Sequence, residues 1–260
     1  MKRILGRKQN LTEESESQWR NVINNIEKYV SRDEVEVATA VARQRIKSII
    51  KGLNAAYSWS GGKDSLVIAD LCQSIGIRKC QFFFTDLEYP AWRKFIEENK
   101  PNGCEMLNIG FNLDYLVANP EMIFPKGKLM QKWHRQVQQN HFVKYLSRPE
   151  IDVLIIGHRT IDGNVCGKDG IRIKDKKILF SPIHDWSHEM LFAYMNYHNI
   201  ELPFIYKWRQ GFYQGTHWWA SRIAKSIEDG YKQVYEIDSS IIIKAAEKIP
   251  NAKSFLEGLK

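Results

Sequence analysis

Short apolar runs recur through the middle of the chain, and each is followed by a stretch with apolar residues at helical spacing. The runs "LNAAYSWS", "KCQFFFTD", "CEMLNIG", "IDVLIIG" and "KKILFSPI" predict buried strands. Between and after them, "SLVIADLCQSIGI", "PAWRKFIEENK", "LMQKWHRQVQQNHFVKYLSR" and "SHEMLFAYMNYHNI" predict helices, the first closed by Gly76 and the second carrying Pro90 in its first turn. Strand and helix alternate from about residue 53 to about residue 200. That alternation predicts an α/β fold, a mostly parallel twisted sheet with helices on both faces.

The two ends read differently. "LTEESESQWRNVINNIEKYV" places Trp19, Val22, Ile23, Ile26 and Val30 on one helical face, with Thr12 as N-cap. "SRDEVEVATAVARQRIKSII" opens with Ser31 and Glu34 at capping-box spacing, and Gly52 stands as its C-cap. From Lys207 onward the pattern is helical but less regular. The organisation expected is a helical N-terminal extension over 1–52, a nucleotide-binding α/β domain over 53–215 and a helical C-terminal segment over 216–260.

Composition adds little to the fold and something to the partners. Lysine and arginine number 38 against 30 acids, a formal charge of +8, which favours anionic partners such as nucleotides, nucleic acid or phosphorylated substrates. No apolar run is long enough to span a membrane, and the basic start of the chain has no apolar core of the kind a secretion signal needs. Four cysteines, Cys72, Cys80, Cys104 and Cys166, lack any paired or metal-type spacing, so free thiols in the cytoplasm are expected. Of the four, only Cys166 falls in a predicted loop where a thiol could face a substrate.

The chemistry concentrates in Ser60-Gly61-Gly62-Lys63-Asp64-Ser65, between the first strand and the first helix of the alternating region. Glycines there let backbone amides approach an anion, the following helix adds its positive end, and Lys63 adds a charge. The frame is neither G-x-x-x-x-G-K-[ST] nor G-x-G-x-x-G. It lies at the carboxyl end of a strand, where open α/β sheets bind ligands.

S-G-G-K-D-S resembles the PP-loop of the ATP pyrophosphatase, or adenine nucleotide alpha hydrolase, superfamily. Three further segments resemble one branch, the phosphoadenosine phosphosulfate (PAPS) reductases and small-subunit ATP sulfurylases: "FFFTDLEYP", "LIIGHRT" with its G-x-R, and "FSPIHDWSHEMLFAYMNYHNIELPFIY". The resemblance implies that Ser58, Ser60, Gly61, Gly62, Lys63, Asp64 and Ser65 hold the phosphates of ATP or a related adenylate with Mg²⁺. It implies that Asp86, flanked by Thr85 and Leu87, lies near the ribose and adenine, and that Arg159 reaches a phosphate or sulfate. Lys63, Asp64 and Arg159 are the catalytic candidates it names, and no residue is expected to ligate a metal directly. The reaction implied is adenylylation or αβ-pyrophosphate cleavage on an unidentified, anionic acceptor.

The chain departs from the branch in two places. Reductases carry a nucleophilic cysteine in E-C-G-x-H, and no cysteine follows Cys166 here. "TIDGNVCGKDG" stands where many relatives have E-S-x-x-R. Thiol-based reduction is therefore not expected, and a non-catalytic nucleotide-dependent module, a protein partner or a nucleic-acid sulfur-modification enzyme stay open as alternatives. "KGKLMQKWHRQVQQNHFVKYLSR" interleaves basic and aromatic residues, which suits either nucleic acid or a solvated helix with aromatics in the core. "KDGIRIKDKK" reads as a basic hairpin-like loop. His184 and His188, four apart, read as capping or core residues rather than metal ligands.

Overall fold

The computed structural model describes residues 4–7 and 11–259. The basic start of the chain lies partly outside them. Apolar runs become strands as the pattern predicts: β1 (Ala55–Ser58), β2 (Cys80–Phe84), β3 (Glu105–Asn108) and β4 (Val153–Ile155). A further strand, β5 (Ile171–Lys174), turns back on β6 (Lys177–Phe180). The sheet order is β3-β2-β1-β4-β6-β5. β1 runs parallel to β2 and β4, with Ala56 beside Leu154, and β4 runs parallel to β6, with Leu154 beside Leu179. β5 pairs antiparallel with β6. Its Ile-Arg-Ile-Lys alternation is that of a solvated edge, and the hairpin closes through Asp175 and Lys176, both at positive φ. The basic loop read from sequence is therefore partly strand.

Helix ends follow their capping residues. In α1 (Glu13–Asn24) the Thr12 hydroxyl accepts the Ser15 amide at 3.2 Å. In α2 (Arg32–Ile49) Ser31 and Glu34 cap one another. α3 (Lys63–Ser74) follows β1 and is stopped near Gly76, φ +90°. α4 (Pro90–Asn99) and α5 (Leu113–Ala118) come next. The long helix expected after residue 128 is instead α6 (Gly127–Trp133), a π-helical stretch His134–Gln139 and α7 (Asn140–Leu146); nothing in the sequence marks the widened turns. α8 (His188–Tyr197) is capped by Ser187. α9 (Gly211–Gln214), α10 (Ile227–Ile237), α11 (Ser239–Ala246) and α12 (Pro250–Gly258) complete the chain. Among the described residues no helix is long and apolar enough to cross a membrane.

The chain forms two compact units that interleave along the sequence. One comprises Met1–Phe82, Asn99–Met106 and Phe142–Gln210. Its core stacks Tyr57, Leu154 and Ile155 of the sheet with Val67, Ile68 and Leu71 of α3 and Leu191 and Tyr194 of α8, all buried. The other comprises Phe83–Glu98, Leu107–His141 and Gly211–Lys260. Aromatic rings fill it: Trp219, fully buried, lies within 6.1 Å of Phe111, Tyr115 and Trp133. Trp218 is core as well.

Candidate active site

In the first unit, β1 ends at Ser58 and the chain turns at once into α3. Trp59 is buried edge-on against Phe82 and anchors the start of the turn. Gly61 takes φ +69°, a conformation that costs a residue with a Cβ. The Ser65 hydroxyl folds the turn on itself: it accepts the Ser60 amide at 3.0 Å, lies 3.2 Å from the Ser60 hydroxyl and donates to the Gly62 carbonyl at 2.9 Å. α3 thus starts from Gly62, which has no side chain to cap it. The Lys63 amide instead donates to the Tyr206 hydroxyl at 3.1 Å.

The side chains behind the turn form a line of alternating charge. Lys63, only 2% exposed, places Nζ 2.5 Å from Asp64 Oδ2. Asp64 Oδ1 accepts Arg159 Nε at 2.7 Å. Arg159 Nη2 reaches Asp162 Oδ2 at 2.9 Å and His188 Nδ1 at 3.2 Å, and Nη1 donates to the Trp186 and Ser187 carbonyls at 3.3 and 2.9 Å. Burial opposes the guanidinium's charge, but Asp64 and Asp162 outweigh it, so its pKa stays above the ordinary arginine value. Burial, then the Arg159 and Lys63 cations, hold His188 down to about 3, so its ring is neutral and Nδ1 can accept. Burial, reinforced by Asp64, pushes the Tyr206 phenol up, and it stays protonated.

This geometry changes the reading of Arg159. The sequence gives it a phosphate to hold. Here it is fully buried, and its five N–H groups are directed at Asp64, two carbonyls, Asp162 and His188. In this arrangement it positions Asp64 and the first turn of α3. Gly157 of the G-x-R serves the same contact: a Cβ there would stand 2.9 Å from Asp64 Cβ and 3.0 Å from its backbone carbonyl. Gly62 is less constrained, since a Cβ would meet only Tyr206 Oη and Ser60 Oγ, at 3.4 and 3.5 Å.

Ser58, Ser60, Gly61, Gly62, Lys63, Asp64, Ser65 and Arg159 thus share one unit. Gly157, Asp162, His188 and Tyr206 join them without having been singled out for it. Their signals were present but weak: a glycine two residues before Arg159, an acid three after it, and a histidine and a tyrosine inside a segment matched only as a helix. His184 makes no part of this line; its carbonyl accepts the Thr160 hydroxyl and amide.

Thr85, Asp86 and Leu87 belong to the second unit. Thr85 is buried and its hydroxyl accepts the Leu87 amide at 3.1 Å, which shapes the turn. Asp86 is exposed, its Oδ1 accepting from Asn108 Nδ2 at 2.9 Å and its amide donating to Phe111. Leu87 is core. Next to them lies a pair the sequence reading passed over. Glu88 Oε1 stands 3.3 Å from His217 Nε2, and the two residues bridge their backbones. Burial raises the Glu88 carboxyl to about 8, against the pull of Arg93, and burial lowers His217 to about 3, with Arg222 adding. Burial thus biases both members of the pair to their neutral forms.

Cys166, the one cysteine whose place in the sequence admits a substrate-facing thiol, is 3% exposed, its thiol is directed at the Asn164 carbonyl, and burial pushes its pKa up. Cys72 and Cys80 are buried too, and all four thiols are free.

The family model described as "Phosphoadenosine phosphosulfate reductase domain" matches residues 54–214, more than half of the chain. The protein belongs to the PAPS reductase domain family. A search of curated proteins returned no match. Among solved structures, a phosphoadenylyl-sulfate (PAPS) reductase from Candida auris, in a phosphate complex, aligns at TM-score 0.51 with 12% identity, covering 74% of this chain and 98% of its own. An NH3-dependent NAD synthetase from Campylobacter jejuni, in complex with nitrate, aligns at TM-score 0.44 and 12% identity, over 84% and 93% of the two chains. An NMN synthetase from Francisella tularensis aligns at TM-score 0.44 and 14% identity, over 73% and 79%. At 12% identity the likeness to the Candida auris reductase is one of fold, and the PAPS reductase-type α/β sheet is the fold this family member adopts.

Proposed function

We propose that this PAPS reductase-family protein binds ATP or a related adenine nucleotide through the turn 58–65 and transfers the adenylyl group, or cleaves the αβ bond, on an anionic acceptor. The observation that carries the reading is the intact Ser60–Ser65 turn, with Gly61 left-handed and α3 starting uncapped behind it. Amides and the helix end would take the phosphates, and Lys63 would exchange Asp64 for a phosphate oxygen. The phosphate bound by the Candida auris relative is consistent with an anion in this fold. Lys63, Asp64, Arg159 and Asp162 sum to zero charge, so the attraction for a triphosphate comes mainly from the backbone and from Lys63 once it turns away from Asp64.

Magnesium, when bound, would neutralise phosphate charge. Both Asp64 oxygens are engaged by cations, and among the described residues no group of three His, Cys, Asp or Glu could hold an ion. The ion would therefore be carried by the nucleotide's phosphates, as magnesium commonly is.

With Cys166 buried, its thiol takes no part in the proposed reaction. The test is to incubate the protein with labelled ATP and candidate acceptors and separate the phosphate-containing products. Pyrophosphate release that falls about a hundredfold in Lys63→Ala, roughly 2.7 kcal/mol of barrier, supports the reading. ATP binding without any product would make the protein a nucleotide-dependent binding module instead.

A further inference from the structure

The N-terminal segment lies outside the family match, and the reading above assigns it nothing. Yet it packs on one of the clamps that hold the turn and bonds to the chain beside the other. One clamp is Arg159 on His188, and the other is the Lys63 amide on Tyr206. Behind the first, the Trp19 ring of α1 lies 4.6 Å from the His188 ring, and both residues are buried. One residue on, the buried Glu189 carboxylate accepts the amides of Ile4 and Leu5 at 2.7 and 2.6 Å, and Leu5 is itself buried. Behind the second clamp, the chain just past Tyr206 is held by α1: Glu16 Oε2 accepts the Gln210 amide at 2.9 Å, and Arg20 donates to the Trp208 carbonyl at 3.2 Å. Glu16 Oε1 also pairs with Arg20 at 2.7 Å, so the two holds act together.

We infer that Ile4, Leu5 and α1 form a brace that sets the conformation of the phosphate turn, with Glu16 and Trp19 as its positioning residues. The inference deepens the nucleotide reading and rests on it for the consequence, though not for the mechanics. A brace of this kind acts through others: Glu16 fixes 208–210, that stretch fixes Tyr206, and Tyr206 fixes the first amide of α3. Trp19 fixes the His188 ring, whose Nδ1 receives Arg159, which in turn holds Asp64. A purely structural α1 would stabilise the unit as a whole and leave the turn no looser than its surroundings.

The test separates these by measuring amide hydrogen exchange segment by segment, together with ATP binding by calorimetry in the presence of magnesium. Glu16→Ala removes the hold on the Gln210 amide and the carboxylate that pairs with Arg20 beside Trp208. The brace predicts that exchange in residues 60–66 speeds up about tenfold while the middle of α2 and β4 stays at wild-type rates, and that ATP affinity falls by a similar factor. Glu16→Gln, which keeps one acceptor for the Gln210 amide, should restore most of both. Should Glu16→Ala not fold, Arg20→Met, at a partly exposed position, is predicted to loosen 60–66 in the same selective way. Exchange in 60–66 that stays at wild-type rates in a folded variant, or that rises only in step with the whole unit, overturns the brace. Wild-type protein that shows no ATP binding would overturn the nucleotide reading alone, since the exchange measurement would still decide the brace.

Discussion

Replacing Arg159 separates the role its motif suggests from the role its surroundings give it. A phosphate ligand at the edge of a crevice is dispensable to folding. A buried guanidinium bonded to Asp64, Asp162, two carbonyls and His188 is not. Arg159→Met would leave the Asp162 carboxylate, whose side chain is 2% exposed, without its cation, and breaking a buried pair in this way costs about 3–5 kcal/mol. For a chain of this size that is a fall in midpoint temperature of roughly 10 °C. Arg159→Lys keeps the charge but offers three donors where five are used, so about two hydrogen bonds are lost, at ~1 kcal/mol each. Thermal unfolding followed by tryptophan fluorescence reads both. The double variant Arg159→Met/Asp162→Asn should lose less than the sum of its parts, because the stranded charge is gone. Wild-type stability in Arg159→Lys or Arg159→Met, combined with lost nucleotide binding, would refute the argument and return Arg159 to the phosphates.

Three further outcomes follow from the same structure. Gly157→Ala should cost about 1–3 kcal/mol and disturb the first turn of α3, since its Cβ meets Asp64 at 2.9 Å, whereas Gly62→Ala, with contacts of 3.4 Å and beyond at an ordinary φ, should change stability by roughly 0.5 kcal/mol or less; equal effects in denaturant titrations would contradict the packing argument. Glu88 has its folded-state pKa raised from 4.5 to about 8, so its contribution is complete below about 4.5 and is lost as pH rises through 8; between pH 6.5 and 8, above the range where His217 titrates, stability should fall with rising pH, and Glu88→Gln should flatten that slope. A wild-type slope unchanged in Glu88→Gln would show that other groups titrate there. Supplied with PAPS, thioredoxin and its reductant, the protein should release no sulfite, and Cys166→Ser should leave nucleotide binding unaltered; sustained sulfite that vanishes in Cys166→Ser would make it a reductase with a displaced nucleophile.

The elements legible in the sequence were those with a local signature. Apolar runs gave away β1 to β4 and β6, and Thr12, the Ser31–Glu34 box and Gly76 marked helix ends where the structure has them. β5 hid because an edge strand carries charges that resemble a loop. The π-helical turns within 134–139 have no local signature at all. At the site, the Ser60–Ser65 turn was legible because glycine and serine there serve backbone geometry within six residues. The side chains that lock it were not, because Tyr206 stands 143 residues from Lys63, and Asp162 and His188 reach the turn only through Arg159, itself 95 residues from Asp64. Arg159 itself shows the limit from the other side: its residue type and place were read, but the number of partners competing for its donors is a property of the folded chain.

The most direct measurement follows the backbone amide resonances of an isotope-labelled sample while ATP and magnesium are titrated in. The account predicts saturable binding, with the largest shifts at Gly61, Gly62 and Lys63 and with both affinity and shifts much reduced in Lys63→Ala. Saturable binding whose shifts leave 60–65 untouched, or no binding at all, would contradict the claim that this turn is where the protein meets a nucleotide.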